Sequence, residues 1–212
     1  MTGGIGSGKS NARKVLAKLG AIAIDADKAG HQAYEPGTPA YLQVVETFGP
    51  SVVAEDGKIN RRALGARVFA DPAQMKQLTD IVWPAIIDIV TQDIQRQVAE
   101  RADATAPNPD TPAVAVVEAA VLLEAGWNTR VDTVWTTYVP ADVALQRVIS
   151  RDACSEEVAK TKLAAQAPVE DKVAAASVVI DTSGPFEATE KQLTDAWSAL
   201  ISSIQAGTFA AS

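Results

Sequence analysis

The sequence predicts an α/β fold in which a parallel sheet lies between layers of helices. Three observations predict it. Short apolar runs at residues 21–24, 113–117, 132–139 and 177–180 alternate with helical patterns, as expected for strands buried on both faces and joined by crossover helices. Two of these runs are followed directly by a carboxylate, Asp25 and Glu118, at the strand ends where the reacting groups of such sheets gather. A glycine-rich segment at residues 3–8 leads straight into a helical pattern, an arrangement suited to binding phosphate.

The elements follow in order. Residues 9–19 read as a helix stopped at Gly20, and residues 21–24 as a buried strand closed by Asp25. A new helix starts near Asp27, where one carboxylate of Asp25-Ala26-Asp27 caps the helix and the other faces the phosphates. From residue 36 to 101 the pattern is mostly helical, punctuated at Pro36-Gly37, Asp56-Gly57, Asp71-Pro72 and Pro84; the two last prolines suit helix starts or a kink. That stretch is too long for one crossover, so residues 28–103 are expected to form an inserted lobe. Residues 102–112, with three prolines among Ala, Asp, Asn and Thr, read as a loop. Strands at 113–117 and 132–139 follow, then helices at 142–151 and 156–167, a strand at 177–180 and a helix at 186–204.

Composition narrows the class. With 212 residues, 47% apolar and 21% charged, the chain buries a sizeable core, which excludes intrinsic disorder, collagen and a small disulfide scaffold. The longest apolar stretches, such as 113–123, are interrupted by Glu118 and fall short of the ~20 residues of a spanning helix. Nineteen Lys and Arg against 26 Asp and Glu give a net charge of −7, which argues against a broad nucleic-acid surface. A small polyanion, held by a few placed cations and backbone amides, remains compatible with that balance. The one cysteine, Cys154, has no partner for a disulfide and is assigned no role.

Gly3-Gly4-Ile5-Gly6-Ser7-Gly8-Lys9-Ser10 matches G-x-x-x-x-G-K-[ST]. Glycines let consecutive N–H groups turn inward around phosphate oxygens at a helix N-terminus. Lys9 neutralises the β- and γ-phosphates, and the Ser10 hydroxyl is suited to Mg²⁺. The fold class is therefore the three-layer P-loop NTPase fold. A phosphate site alone leaves a kinase, a hydrolase and a nucleotide-driven switch open. Asp27 favours a kinase, which needs a carboxylate to orient the attacking hydroxyl and accept its proton. Arg147 and Arg151, spaced i, i+4, and Lys162 suit a lid over residues 142–168 that closes on ATP. His31 is the sole histidine, which excludes His-rich metal sites; Trp83, Trp127, Trp135 and Trp197 are expected in packing.

These segments together resemble the dephospho-CoA kinase family along the whole chain. The resemblance is carried by residues 2–10, Leu19-Gly20, Ile24-Asp25-Ala26-Asp27, Pro36-Gly37-Thr38-Pro39-Ala40, Phe48-Gly49, Asp56-Gly57, Val68-Phe69, Leu122-Leu123-Glu124, Arg151-Asp152, Gln166 and Ile180-Asp181. The family usually has Arg, His, Asp, Arg and Asn where this chain has His31, Trp83, Glu118, Lys162 and Thr182. A lysine at 162 offers a point charge where arginine would offer a planar fork. Gly30-His31, Trp83-Pro84 and residues 118–127 look like the kinase domain of the eukaryotic bifunctional CoA synthase, in which an adenylyltransferase domain lies upstream.

The resemblance implies one dephospho-CoA kinase-like domain over residues 1–212, phosphorylating the ribose 3′-hydroxyl of dephospho-CoA with ATP and Mg²⁺. Gly4, Ile5, Gly6, Ser7, Gly8, Lys9 and Ser10 would hold ATP, with Ser10 and Glu118 toward the metal. Asp27 would act as base, with Lys9, Arg147 and Arg151 as catalytic cations. Asp25, His31, Pro36, Gly37 and Lys162 would serve the acceptor. A fused or upstream phosphopantetheine adenylyltransferase domain is an expected partner, and the cytoplasm the expected compartment, with mitochondrial association as a second. Another P-loop nucleoside or nucleotide kinase, or a nucleotide-binding module without catalysis, is the alternative. Only Met1 and Thr2 precede the loop, so the first strand is expected to be missing, with the natural start upstream.

Overall fold

Each apolar run read as a strand forms one, with its ends shifted by one to three residues. The computed structural model describes residues 1–103 and 112–211. Its strands are β1 (Thr2–Gly3), β2 (Ile22–Asp25), β3 (Ala115–Glu118), β4 (Trp135–Tyr138) and β5 (Val178–Asp181). Its α-helices are α1 (Lys9–Lys18), α2 (Ala26–Gln32), α3 (Pro39–Phe48), α4 (Arg61–Phe69), α5 (Pro72–Asp103), α6 (Ala141–Asp152), α7 (Glu156–Ala164), α8 (Val169–Ala174) and α9 (Phe186–Gln205). The loop expected at 102–112 falls almost wholly outside the described residues.

Two compact units emerge, Met1–Ile24 with Gln97–Ser212, and Asp25–Arg96. In the first, β1 pairs with β4 and β4 with β5, all parallel, while β2 pairs with β3. Met1 joins the two ladders: its ammonium donates to the Val117 carbonyl at 2.6 Å, and its carbonyl accepts from Ala119 N–H at 3.0 Å. The strand order is thus β2-β3-β1-β4-β5. Where the first strand was expected to be absent, the two-residue element β1 stands, with Thr2 buried in it and Met1 buried just before it. So short a strand has no periodicity to read; its pairing is visible only once β3 and β4 flank it.

The alternation of side chains along β4 produces the layers. Trp135 faces a core of Met1, Ala12, Val15, Leu16, Ala21, Ile180, Leu193 and Trp197, where α1 and α9 cover the sheet. Thr136 points the other way and donates to the Lys172 carbonyl of α8 at 2.8 Å. Helix α8 was not foreseen: six residues long and entered from Pro168, it shows too few turns for a periodic signal. Pro84 lies inside α5 and Pro72 at its start.

The second unit is helical. Thr38 caps α3 through Tyr41 N–H at 3.1 Å, and Tyr41 Oη donates to the Gly57 carbonyl at 2.7 Å, fastening the Asp56-Gly57 turn. Arg67 donates to the Phe48 carbonyl at 2.6 Å and lies over the Phe48 ring at 5.7 Å. Its core includes Val44, Phe48, Val52, Leu64, Val68, Val82, Ile86 and Val90.

Burial pushes the Met1 ammonium down to about 5, against a smaller opposing pull from Glu118. Between that value and its unfolded value of 8.0, the unfolded chain binds the proton that the folded chain refuses. A chain beginning at Met1 is therefore most stable above pH 8 and loses stability as pH falls toward 5, by up to about 4 kcal/mol from this group. Urea midpoints should fall between pH 8.5 and 5.5; a flat profile would contradict this.

Candidate functional site

The glycine-rich segment forms a closed loop between β1 and α1. Gly6 and Gly8 have φ of 79° and 78°, the left-handed region open to glycine, and Gly8 is the residue from which α1 starts. Ser7 N–H donates back to the Gly4 carbonyl at 3.2 Å, and Lys9 Nζ to the same carbonyl at 2.9 Å. The Ser7 hydroxyl, buried, shares a 2.7 Å hydrogen bond with Thr137 of β4.

Residues far along the chain secure the outer side of this loop. Thr182, just past β5, donates its hydroxyl to the Ser7 carbonyl at 3.0 Å. Arg147 of α6 donates to the Gly6 carbonyl at 3.2 Å and to Thr182 Oγ1 and O at 3.1 and 2.5 Å. The guanidinium read as a lid cation thus rests, in this structure, on the loop's backbone. Gln166, beyond α7, accepts from the Ile5 N–H at 2.8 Å.

Where α1 leaves the loop, Ser10 Oγ–H donates to Glu118 Oε1 at 2.8 Å, and Arg13 Nε donates to Glu118 Oε2 at 2.7 Å. The Glu118 side chain is 4% exposed and that of Arg13 20%. Mg²⁺ takes hard oxygen ligands, keeps several waters and commonly uses one or two protein oxygens with substrate phosphates. The Ser10 oxygen fits that donor set, and Glu118 would stand beside it toward the metal's waters. Among the described residues there is no group of three or more His, Cys, Asp or Glu that could hold a metal ion.

Arg151 and Lys162 meet on Asp152: Arg151 Nε lies 2.7 Å from Oδ1 and Lys162 Nζ 2.6 Å from Oδ2. The Arg151 hydrogen bond, then that of Lys162, holds the Asp152 carboxyl well below the usual carboxylate range. Ala153, with φ 47°, ends α6 next to this cluster, and Ser155 caps α7.

In the second unit Asp25 is the helix cap, accepting from Lys28 N–H at 3.0 Å, and Asp27 occupies the exposed first turn of α2. His31, Pro36 and Gly37 are exposed. Arg13, Thr137 and Lys172 were not singled out from sequence, and Thr182 and Gln166 only within the resemblance. The Lys172 side chain is 0% exposed, and its ammonium donates to the Ala120 carbonyl at 2.6 Å and to Glu124 at 2.9 Å. A sequence signal existed for Gln166 and Glu124, which recur in the family pattern; for Arg13 there was none.

The family model for dephospho-CoA kinase matches residues 1–187. A dephospho-CoA kinase of Geobacter sulfurreducens is 42% identical over 93% of this chain and 95% of its own length. One of Shouchella clausii is 41% identical over 92% and 94%. Among solved structures, TT1252 from Thermus thermophilus superposes with a TM-score of 0.76 at 29% identity, covering 94% of this chain and 95% of that one. Dephospho-CoA kinase from Campylobacter jejuni superposes at 0.64 with 23% identity over 95% of each chain, and so supports the fold.

Gly3 makes the loop's closest approach. Its φ is 151°, and a Cβ there would fall 2.5 Å from the Thr137 carbonyl oxygen and 2.6 Å from Ser7 Oγ. Gly3→Ala should cost about 3 kcal/mol of stability and disrupt ATP binding. Chemical denaturation and calorimetry check this; an alanine variant with native stability would contradict the packing described.

Proposed function

The chain belongs to the dephospho-CoA kinase family, and from that membership we propose how its residues divide the work of phosphoryl transfer. The reaction is ATP-dependent phosphorylation of the ribose 3′-hydroxyl of dephospho-CoA, giving coenzyme A and ADP. The observation that carries this reading is the phosphate loop at residues 3–10, with its lysine and serine in register, inside a chain matched to the family over residues 1–187.

The amides of residues 4–10 cradle the triphosphate. Lys9 exchanges the Gly4 carbonyl for the β- and γ-phosphates, where a cation offsets charge on the transferring group. Ser10, supported by Glu118, would hold Mg²⁺, which when bound neutralises the β- and γ-oxygens. Asp27 orients the 3′-hydroxyl and accepts its proton as the oxygen attacks. Proton acceptance by a positioned carboxylate typically contributes 10²–10⁴-fold in rate.

Arg147, Arg151 and Lys162 act from the 142–168 lid. Arg151 and Lys162 are the mobile pair, since Asp152 is a partner that phosphate oxygens can replace. Arg147 holds the loop's shape through the Gly6 carbonyl. The 28–103 insertion, with Asp25, His31, Pro36 and Gly37, takes the acceptor.

The finer placement near the eukaryotic bifunctional enzyme rests on Gly30-His31, Trp83-Pro84 and residues 118–127. The bacterial relatives are covered almost completely by this chain, so they carry no appended adenylyltransferase domain of any size. No helix among the described residues is long and apolar enough to cross a membrane. The cytoplasm is the compartment we assign, to be checked by fractionation.

Lys9→Ala and Asp27→Asn should keep the fold. Lys9→Ala should weaken ATP binding. Asp27→Asn should keep it and lose about 10²-fold or more in kcat. An Asp27→Asn enzyme at near wild-type rate would remove Asp27 as base. In an acceptor panel read by ADP release, dephospho-CoA should exceed every nucleoside; the reverse order would favour a nucleoside kinase, and ATP binding without turnover a non-catalytic module.

A further inference from the structure

Arg13 has no place in the assignments above, yet it touches the carboxylate nearest the metal side of the loop. It lies three residues after Ser10 on α1, so both side chains leave the same helix face. Glu118 reaches that face from the end of β3 and receives one hydrogen bond on each oxygen, from Ser10 at 2.8 Å and Arg13 at 2.7 Å.

We propose that Arg13 is a positioning residue for the metal, holding Glu118 in the orientation that accepts the Ser10 proton and so turns the Ser10 lone pairs toward Mg²⁺. This inference rests on the reading of Ser10 and Glu118 as the metal side of the loop. The terminal torsion of a glutamate is broad and two-fold, so one hydrogen bond does not fix the carboxylate plane. Two donors on different oxygens do. A serine hydroxyl has one proton and two lone pairs, and committing the proton to Oε1 determines where the lone pairs point.

Burial gives the contact its weight. The Glu118 side chain is 4% exposed, and a buried carboxylate stripped of its cation is strongly unfavourable. Without Arg13, Glu118 would lose its second anchor and turn, and the Ser10 hydroxyl would lose its fixed acceptor. The geometry also defines the role of Glu118. With both oxygens engaged by protein donors, it acts through Ser10 and the metal's waters, not as an inner ligand. Partners in that outer position typically account for 10–100-fold in metal affinity.

The test is ATP binding by calorimetry on the full chain, once with excess Mg²⁺ and once with EDTA, beside Mn²⁺ affinity of the ATP complex by electron paramagnetic resonance. Arg13→Ala should lose about tenfold or more in Mg²⁺-ATP and Mn²⁺ affinity, with metal-free ATP affinity changed by less than about threefold. Arg13→Lys, which keeps the charge and should fold in any case, should show an intermediate loss. In a Glu118→Gln background, Arg13→Ala should add nothing further. An equal loss with and without metal would reassign Arg13 to loop structure and overturn the proposal. So would no loss, or a full additional loss in the Glu118→Gln background. A wild-type chain that binds ATP equally with and without Mg²⁺ would instead overturn the metal reading of Ser10 and Glu118, and the role of Arg13 with it.

Discussion

Turning a run of peptide N–H groups inward around a phosphate leaves the carbonyls of the same peptides facing outward. Much of the first unit is organised around that constraint. A buried carbonyl without a donor costs about 1–3 kcal/mol, and a loop of eight residues presents several. Gly4 O receives Lys9 Nζ and Ser7 N–H; Gly6 O receives Arg147; Ser7 O receives Thr182; Gly8 O receives the first turn of α1. Donors separated from the loop by more than a hundred residues are thus required before the loop can hold its shape. The phosphate site exists only once β4, β5 and α6 are in place.

The same requirement explains a core that carries more polar groups than apolar patterning suggests. Thr2, Ser7, Thr136, Thr137, Lys172 and Thr182 are all buried. One strand separates the two demands: on β4, Trp135 serves the apolar core under α1 and α9, and Thr136 serves α8. Lys172 then carries the connection onward, since its ammonium binds Ala120 O and Glu124 in the segment that follows Glu118. A buried ion pair adds little net stability, but breaking one is costly, so it favours a single arrangement of that segment over its alternatives. The carboxylate facing Ser10 is therefore held from both directions, by Arg13 on its oxygens and by Lys172 through the chain beyond it.

What could be read in advance divides along the same line. The apolar runs, the glycine stops and the phosphate motif are local patterns, and they located four strands, the loop and most helices. Two-residue β1 and six-residue α8 hold less than one period of any pattern, and both form because neighbours supply their partners. Asp25 and Asp27 were read as a pair with divided duties without saying which was the cap, and the structure shows Asp25 to be the cap. The sequence placed Arg147 and Arg151 on one helix, but a position on a helix does not say where a long arm ends. Arg147 turns back to the loop and Arg151 outward to Asp152. Arg13 was illegible because its partner lies 105 residues away, and an arginine in an amphipathic helix ordinarily ends in water.

An acidic chain that binds a polyanion must supply cations without raising its overall charge, and on the proposed assignment the site would do this by holding each cation on a replaceable partner. Lys9 rests on a carbonyl, while Arg151 and Lys162 share one aspartate. On the assignment proposed above, each arm is oriented before the nucleotide arrives, so binding would exchange one acceptor for another instead of ordering a free side chain at a cost of up to about 2 kcal/mol of rotamer entropy each. In the Asp152 cluster the cations are the exposed members, Arg151 at 62% and Lys162 at 42%, so water screens their attraction and they would be the more easily exchanged. Arg13 and Lys172 lie at the other extreme: their own side chains are only 20% and 0% exposed, and exchange would leave a shielded charge behind. Cations that would move with the proposed lid and cations that define the frame are thus distinguished by their own exposure, not by that of the carboxylates they hold.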